Sequence, residues 1–403
     1  MQWTDRRVIT FACWLLTGVR WFVDLFSKIE KRSGYRSLIF LKLAEQGSTV
    51  LAYETLYRAV ASVGRENVYF LAFEENRFVV DLLGLLPRQN VLTVKTTSAW
   101  SMAISCLVRL LEIRRLKIDA CVDLEFFSRS SAVIAWLTGA RHRAGFHAFS
   151  GGPYRGDLFT HRVAFNVNQH TSCAFGTLLD ALDIDQERQP ACTGSGLVAV
   201  NPPHFTPTPE ERGRMRETLH RLGVDTHGSV VLLNANAGDL LPLRKWSGQN
   251  YVSLARKILT EFPECSIVFT GSPSEVSETA TLAERVASPR CFSLAGRTTL
   301  RELVTLYTLA DVLVTNDSGP AHFAALTDIE VVVLFGPETP ALFAANTPRN
   351  HVLWAGLACS PCVNAFNNRQ TACCNNLCMQ NISMAQVFAS VSKIYRTKQV
   401  RVA

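Results

Sequence analysis

Residues 311–322 read DVLVTNDSGPAH, an apolar run that passes through a polar turn directly into the start of a helix. Gly319 lets the backbone approach a ligand closely, and the first amides of a helix can hold a phosphate oxygen. Ser318 adds a hydroxyl group, and His322, one turn later, adds a ring nitrogen. The stretch therefore predicts an anion site behind a strand. An Asp317 N-cap followed by a core histidine is the alternative interpretation.

Short apolar runs alternate with longer amphipathic segments on both sides of this stretch, which is the pattern of parallel α/β sheets. Strands are predicted at residues 37–43, 68–73, 90–94, 120–124, 144–146, 229–234, 266–270, 311–315 and 331–335. Helices are predicted at residues 50–62, 101–114, 130–137, 249–262, 274–287, 300–309 and 384–396. The fold class is therefore α/β.

Length and composition predict two domains. The chain has 403 residues, of which 48% are hydrophobic and 19% charged, as in a globular protein too long for one ordinary core. Prolines gather and the periodicity fades at 186–212, which indicates a linker. The predicted division is an N-terminal segment at 1–36, a first lobe at 37–185, the linker, a second lobe at 213–383, and a helix and tail at 384–403. Because ligands of open α/β sheets bind beyond the carboxyl ends of the strands, the site is expected in a cleft between the lobes.

The formal charge of +7, from 41 basic and 34 acidic residues, favours anionic partners such as nucleotide phosphates or anionic lipid. The basic residues are dispersed, and no stripe of alternating basic and aromatic residues is present in the sequence. We therefore expect no nucleic-acid partner.

Residues 8–26, VITFACWLLTGVRWFVDLF, form an apolar run between basic flanks. The run is not followed by the small-residue cleavage site of a secretory signal. Arg20 and Asp24 interrupt it, which favours a helix lying in a membrane interface over a helix that spans the bilayer. The side chains expected to face lipid are Trp14, Trp21, Phe22 and Phe26. A true span, and a helix packed on the protein's own surface, stay open as alternatives.

The order of short motifs along the chain resembles glycosyltransferase family 9, the ADP-heptose:lipopolysaccharide heptosyltransferases. The resemblance covers most of residues 38–383. It rests, in chain order, on Lys42 with the Gly47 turn, on Asp123, Arg129 and Gly145 within 118–146, on Lys245 with Trp246, on Gly271 with Glu275, on the 317–322 motif and on FGPET at 335–339. The order of these motifs, more than any single one, identifies the family.

This resemblance implies a GT-B fold of two Rossmann-like, doubly wound lobes. The second lobe would hold a nucleotide-sugar donor, ADP-heptose or similar, and the first lobe a glycolipid or saccharide acceptor. Transfer would be inverting and need no cofactor. The protein would be cytoplasmic and peripheral, at the inner face of the bacterial inner membrane, and its C-terminal helix would cross back to the first lobe.

The family's donor contacts map onto this sequence residue by residue. In relatives, the Asp-Ser/Thr-Gly element and the following histidine contact the donor diphosphate, which implies this role for Asp317, Ser318, Gly319 and His322. Glu275 stands where relatives hold the ribose.

The resemblance also implies roles for three cationic residues, two at the donor and one at the acceptor. The relatives' phosphate-binding lysine lies two residues before the tryptophan, where this chain has Arg244, with Lys245 next to it. Either cation can neutralise the leaving diphosphate. Arg129, in the Arg-Ser element, is the candidate acceptor contact.

The general base is the position at which this sequence departs from the family. Relatives carry an aspartate directly after the first glycine, but this chain has Ser48, whose hydroxyl does not ionise near pH 7. Glu45, three residues earlier, is the candidate base, although it can also be a solvated loop carboxylate. A catalytically silent subunit that binds nucleotide or scaffolds a membrane assembly is therefore a second hypothesis. A nucleotide-sugar epimerase is a third, less well supported by the motif order.

Five of the 12 cysteines lie in a loop predicted at 359–378. Cys359, Cys362, Cys373 and Cys378 can supply four thiolates to a structural zinc ion or an iron–sulfur cluster, although the spacing is not that of a zinc ribbon. Reduced or disulfide-linked loop cysteines, and a redox role, are the alternatives.

Overall fold

A computed structural model describes residues 2–24, 34–149, 154–186, 188–191, 203–226, 228–238 and 241–402. Phe26 and residues 192–202 of the predicted linker lie outside the described residues. The chain divides into two compact units. The first contains Met1–Pro202 and Asn364–Gln370, and the second contains Pro203–Val363 and Thr371–Ala403.

The first unit is built on a six-stranded parallel sheet in the order β3-β2-β1-β4-β5-β6. Its strands are β1 Leu38–Leu41, β2 Val68–Phe73, β3 Val91–Val94, β4 Ala120–Asp123, β5 His142–His147 and β6 His161–Ala164. Its helices are α1 Gln2–Asp24, α2 Gln46–Leu51, α3 Tyr53–Val63, α4 Arg77–Leu83, α5 Ala99–Leu116, α6 Arg129–Leu137 and α7 Thr171–Asp180. The strand order is that of a Rossmann-like, doubly wound sheet.

The second unit repeats this arrangement with the strand order β12-β11-β10-β7-β8-β9. Its strands are β7 Val230–Asn234, β8 Ser266–Phe269, β9 Cys291–Ser293, β10 Val312–Asn316, β11 Glu330–Phe335 and β12 Asn350–Trp354. Its helices are α8 Pro209–Leu222, α9 Gly248–Glu261, α10 Val276–Val286, α11 Leu300–Tyr307, α12 Gly319–Ala324, α13 Pro340–Phe343, α14 Leu377–Gln380 and α15 Met384–Val402. The predicted α/β class with two Rossmann-like lobes is confirmed.

The helix α8 begins at Pro209, inside the predicted linker at 186–212. The Thr208 hydroxyl accepts from the Glu211 amide, and the Glu211 carboxylate accepts from the Thr208 amide, so a capping box starts the helix. Proline at the first helical position lacks only an amide that a helix leaves unbonded there. The prolines at 207 and 209 therefore mark the start of α8 within the predicted linker.

The C-terminal helix α15 belongs to the second unit, so the expectation that it crosses back to the first lobe is wrong. Its inner face, with Val387 and Val391 fully buried, lies in the second core, and the Tyr395 ring centroid is 4.1 Å from that of Phe262. Burying this apolar face holds the helix there. The segment that belongs to the first unit is instead Asn364–Gln370, whose Phe366 ring lies 5.2 Å from that of Phe127.

The N-terminal helix α1 belongs to the first unit and packs against α6. The α1 residues Cys13 and Thr17 are buried against the rest of the unit. The Arg20 guanidinium donates to the Phe159 carbonyl at 2.8 Å and pairs with Asp157 at 3.0 Å. Arg20 thus faces the protein, which is why a charge interrupts the apolar run. None of the helices within the described residues is long and apolar enough to cross a bilayer. The helix packs on the protein's own surface, which is one of the alternatives that the sequence left open.

Candidate functional site

Asn316, the last residue of β10, fixes the carboxyl edge of the second sheet. Its side-chain amide donates to the carbonyls of Ala235 and Asn236, at 3.2 and 3.1 Å, and its oxygen accepts from the Trp246 amide at 3.1 Å. This buried side chain therefore ties the turn at 317–318 to the segment after β7 and to the segment that carries Arg244. A fully bonded buried amide of this kind gives the surrounding loops one defined conformation.

Arg244 lies between two buried carboxylates at this edge. Its Nη1 atom is 3.3 Å from Glu338 Oε2 and 3.9 Å from Asp317 Oδ2, and its Nη2 donates to the Ala237 carbonyl at 3.4 Å. The Arg244 side chain is only 13% exposed, and both carboxylates are almost completely buried. Because a guanidinium has five donors in a fixed plane, this one can be oriented by protein groups and still offer a donor to a phosphate.

Lys245 lies in a different setting from its neighbour. Its ammonium group pairs with both carboxylate oxygens of Glu278, at 2.8 and 2.7 Å, and its side chain is more than a third exposed. Trp246, the next residue, is buried and donates its indole proton to the Ile382 carbonyl at 2.8 Å. Of the two candidate cations, the structure brings Arg244 to Asp317 and pairs Lys245 with Glu278.

The turn after β10 and the helix α12 that follows carry four of the predicted donor contacts. Ser318 precedes α12 and donates from its hydroxyl to the Asn316 carbonyl at 3.1 Å, while His322 is buried within α12. Asp317 pairs with Arg244 and is not the N-cap residue, which is Ser318. A Cβ atom at Gly319 would lie 3.3 Å from the Phe323 ring, so a side chain there would require a small shift of that ring.

Glu275 lies at the start of α10, after β8. Its Oε2 atom accepts from the Ser272 amide at 2.7 Å in a capping box, so the carboxylate also begins the helix. The buried Asn236 donates from its amide to Thr279 Oγ1 at 3.3 Å. The Asn236 amide nitrogen and Glu275 Oε2 lie beside Gly271, each 3.2 Å from the place of a Cβ atom there. Glu275 is thus held in a fixed orientation at the same edge of the second sheet.

The first sheet carries a cluster of buried charges where β1 ends. The Lys42 ammonium is fully buried and lies 3.2 Å from Glu125 Oε2 and 3.4 Å from Glu45 Oε2. Glu125 also accepts from the amides of Leu43 and Ala44, at 2.7 and 2.9 Å. These bonds fix the loop on which the candidate base lies.

Glu45 is an ion-paired residue in this cluster, and not the solvated loop carboxylate of the alternative interpretation. It has a left-handed backbone, with φ of 63°, and its carboxylate pairs with Arg369 as well as Lys42. Burial disfavours the charged form, but Arg369 and Lys42 outweigh burial and hold the pKa of Glu45 well below its ordinary range. Ser48 donates from its hydroxyl to the Glu45 carbonyl at 3.0 Å. Glu45 is therefore ionised but weakly basic.

Asp123 ends β4 and forms a buried ion pair with Arg155, which also donates to the Phe146 carbonyl at 3.0 Å. Ser131 donates to the same carboxylate at 2.8 Å. Arg129, the candidate acceptor contact, is the first residue of α6 and is buried. The residue before it, Ser128, accepts from Arg155 Nε at 2.9 Å through its carbonyl. The Asp-Leu and Arg-Ser elements are thus brought together at the carboxyl edge of the first sheet.

Sequence reasoning missed four charged residues of these clusters. Glu338 and Glu125 had a usable signal, since each follows a buried strand closely, within FGPET and two residues after Asp123. Arg155 and Arg369 come from segments distant in sequence, and nothing near them in the chain identifies their partners.

The cysteine loop does not form the predicted metal site in this structure. Cys359 is exposed, whereas Cys378 is buried beside Gly336, and that burial raises the pKa of the Cys378 thiol. Within the described residues, no three histidine, cysteine or acidic side chains group closely enough to hold a metal ion. None of the eleven described cysteines forms a disulfide. The zinc or iron–sulfur prediction for Cys359, Cys362, Cys373 and Cys378 is not confirmed.

The sequence model of glycosyltransferase family 9 (heptosyltransferase) matches residues 112–372, which is well over half of the chain. The chain belongs to glycosyltransferase family 9. The match spans β4 to the cysteine loop, and so includes Asp123, Arg244 and the turn at Asp317. The family predicted from the motif order is confirmed.

Two curated relatives are heptosyltransferases. The lipooligosaccharide heptosyltransferase 2 of Haemophilus influenzae is 32% identical over 151 residues, which cover 36% of this chain and 42% of the relative. The lipopolysaccharide heptosyltransferase 2 of Salmonella typhimurium is 32% identical over 102 residues, covering 25% of this chain and 29% of the relative. The chain thus spans less than half the length of these curated relatives.

Solved structures of the family share the fold along nearly the whole chain. The ADP-heptose lipopolysaccharide heptosyltransferase II of Escherichia coli has a TM-score of 0.67 at 17% identity, covering 90% of this chain and 99% of its own. A family 9 glycosyltransferase of Veillonella parvula has a TM-score of 0.69 at 17% identity, covering 91% and 99%. The predicted GT-B fold is confirmed by this likeness, while the cleft between the lobes stays a prediction.

Proposed function

We propose that this protein is an inverting glycosyltransferase that moves heptose or a related sugar from a nucleotide-diphosphate sugar, ADP-heptose or similar. The acceptor is a lipopolysaccharide-like or other glycolipid or saccharide. The observation that supports this best is Arg244, oriented by two buried carboxylates at the sheet edge where Ser318 and His322 lie. Family 9 membership supports a donor diphosphate as the ligand of Arg244, because the relatives named above are heptosyltransferases.

The reaction is a displacement at the anomeric carbon. An acceptor hydroxyl oxygen forms the new glycosidic bond, the bond from the anomeric carbon to the diphosphate oxygen breaks, and its electron pair leaves with the nucleoside diphosphate. Attack from the opposite side inverts the anomeric configuration. Arg244 and the groups at Asp317–His322 stabilise the charge that develops on the diphosphate, and Glu275 holds the ribose. Because protein cations supply this stabilisation, transfer is proposed to proceed without a metal ion.

The acceptor hydroxyl must lose its proton, and Glu45 is the proposed base. Its two ion pairs, with Arg369 and Lys42, make it a poor base as it stands. Arg369 would turn toward an anionic group of the acceptor and so raise the basicity of Glu45 when the substrate is bound. Arg129 is proposed as a further acceptor contact. Lys245, which is paired with Glu278, is proposed not to contact the donor phosphates.

The proposed place of action is the cytoplasmic side of the bacterial inner membrane, with the protein bound peripherally through α1. The outward face of this helix supports the proposal, since Trp14, Trp21 and Phe22 are each more than 60% exposed. Aromatic side chains of this kind favour the boundary between headgroups and acyl chains.

A turnover screen tests the proposed function. Full-length protein is incubated without added metal with ADP-, UDP-, GDP- and CMP-sugars, in the presence and absence of a membrane glycolipid extract. We expect release of ADP that depends on the acceptor and is greatly reduced in Arg244→Gln. Absence of release from every sugar nucleotide, with protein that is folded by circular dichroism, would contradict the transferase assignment.

A catalytically silent subunit is the second candidate function. Two observations favour it: Ser48 replaces the family's aspartate, and Glu45 is held by two cations. Such a subunit would bind ADP tightly at the Arg244 edge and would not release it from ADP-heptose with any acceptor. The same screen, combined with ADP titration, separates the two candidates.

A further inference from the structure

The helix α5 carries an unpacked apolar stripe on its solvent side. The stripe consists of five side chains that are 49 to 80% exposed: Trp100, Ile104, Leu107, Val108 and Leu111. Their spacing places them on one face of the helix over three turns, while Leu110 and Ile113 on the other face are buried. A continuous exposed apolar stripe of this size is unusual unless another surface covers it.

The same layer of the first unit contains α1. The inner faces of α1, α5 and α6 share one core cluster, which includes Cys13, Ile113 and Ala132. Their outer faces therefore point away from the same side of the sheet. On α1 that outer face includes Phe11, Trp14, Leu15, Trp21 and Phe22, each 52 to 65% exposed. An apolar groove of about 790 Å³ continues this face between α1 and residues 147–148, 154–157 and 162.

Positive charges border the α5 stripe at the C-terminal end of the helix. Arg114, Arg115 and Lys117 are exposed where the helix ends, and Arg141 is exposed just beyond α6. The single carboxylate within the helix, Glu112, is paired with Arg109 at 2.6 Å. A face of tryptophan and aliphatic side chains bordered by arginines matches the boundary of an anionic bilayer, where acyl chains lie next to lipid phosphates.

We propose that α5 and α1 form one lipid-docking face that binds the surface of an anionic bilayer. This inference deepens the proposed function, because a glycolipid acceptor is embedded in such a surface. It assigns to α5, as well as to the N-terminal helix, the contact with lipid. The aromatic and aliphatic side chains enter the headgroup region, and Arg114, Arg115 and Lys117 lie against lipid phosphates.

Vesicle binding of the full-length protein tests this inference without any turnover. Partition coefficients are measured by cosedimentation with vesicles of phosphatidylethanolamine and phosphatidylglycerol, three to one, and with pure phosphatidylcholine. We expect binding to the anionic vesicles, lowered about tenfold or more by Ile104→Ser with Leu107→Ser. Arg115→Gln should lower it about fivefold, and added salt should abolish that difference.

Tyr57→Ser is the matched control. Tyr57 is also an exposed apolar residue, but it lies on α3, which packs against α7 and not within the layer of α1, α5 and α6. We expect this variant to bind vesicles as the unchanged protein does. All variants should keep acceptor-dependent ADP release with a detergent-solubilised acceptor.

Two results would overturn the docking face. One is equal vesicle binding by the control and the α5 variants. The other is a dimer in solution, seen by light scattering, that the α5 substitutions dissociate while vesicle binding is unaffected or absent. Either result with turnover retained would remove the docking face and leave the proposed function standing. Lost turnover with intact vesicle binding would remove the proposed function and leave the docking face standing.

Discussion

Arg244 and Lys245 are adjacent in the chain but have different partners. The Arg244 guanidinium is buried with Asp317 and Glu338, whereas the Lys245 ammonium forms a partly exposed pair with Glu278. An exposed pair is screened by water and salt, so its charge acts weakly at a distance. A buried guanidinium keeps more of its field and its orientation. The first of the two cations is therefore the one expected to bind the donor diphosphate.

The two cations give a matched pair of substitutions. Arg244→Gln should weaken ADP binding about 10- to 100-fold, since a charge-assisted hydrogen bond to phosphate is lost, while Lys245→Gln should change it less than about threefold. Titration calorimetry measures both affinities. Arg244→Lys keeps the charge and shows whether planar geometry matters. Equal losses in the two glutamine variants would contradict the assignment.

The ion pair of Glu45 with Arg369 is a second residue-scale test. The pKa of Glu45 in the folded chain is below its ordinary value of 4.5, so the pairing stabilises the fold above that pH and the stabilisation is lost as pH falls. Arg369→Met should lower the free energy of unfolding at pH 7 by about 1–2 kcal/mol, because the pair is partly exposed.

A double-mutant cycle isolates this interaction. Adding Glu45→Gln to Arg369→Met should cost less than the sum of the two single changes. The coupling should be about 1 kcal/mol at pH 7 and should persist at pH 4, because the pKa of Glu45 in the folded chain lies well below its ordinary range. Denaturant unfolding at pH 7 and at pH 4 supplies the four values at each pH. Strict additivity at pH 7 would mean that the pair does not form in solution.

At the scale of elements, Gly145 shows why a motif glycine stands in the middle of β5. A side chain at this position would come within 2.5 Å of the Phe159 ring, which is itself buried. The glycine therefore lets Phe159 pack directly on the strand. Gly213, inside α8, has open space around it by contrast.

These two glycines make a matched prediction. Gly145→Ala should lower the free energy of unfolding by about 1–3 kcal/mol, since the core is overpacked, and Phe159→Leu should relieve part of that loss. Gly213→Ala should raise the free energy of unfolding by up to about 1 kcal/mol, because alanine favours a helix interior. Chemical denaturation checks both signs. A stabilising Gly145→Ala would contradict the packing described here.

The elements also show how far the sequence predicts this fold. Central strands such as Val68–Phe73 are long apolar runs, and β-strand periodicity identified them closely. The three missed strands, β6, β9 and β12, lie at sheet edges, where partial exposure admits polar residues such as Arg162 and Asn350. Their pairing is set by neighbouring strands, which local periodicity does not report.

At the scale of the whole molecule, the sites were harder to predict than the fold. Motif order along the chain correctly gave the family and the turn at Asp317. The partners that set the charge of each site come from far along the chain: Arg369 lies 324 residues from Glu45, and Glu338 lies 94 residues from Arg244. Such pairs become visible only when the chain is folded.

Acid stability is a whole-molecule property that one buried histidine should influence. Burial, with smaller contributions from His142 and Arg143, lowers the pKa of His161 from 6.5 to about 4. Its neutral form is therefore favoured in the folded chain, and stability is complete above pH 6.5 and falls as the pH drops toward 4. The loss is at most about 3 kcal/mol.

Unfolding measurements between pH 4 and 7.5 check this prediction. His161→Gln should flatten the dependence of unfolding free energy on pH in the window from 6.5 to 4, although it also removes the 2.9 Å contact of the imidazole with Thr160 Oγ1. The comparison uses slopes and not absolute stabilities. An unchanged slope would show that other groups control acid unfolding.

The most direct test of the central claim is transfer itself, followed by mass spectrometry of the acceptor with ADP release measured in the same reaction. The account predicts one ADP released for each heptose-sized mass added to a membrane glycolipid, an inverted anomeric configuration, and loss of both products in Arg244→Gln but not in Lys245→Gln. ADP binding at the Arg244 edge with no mass added to any acceptor would contradict the transferase and favour the silent subunit.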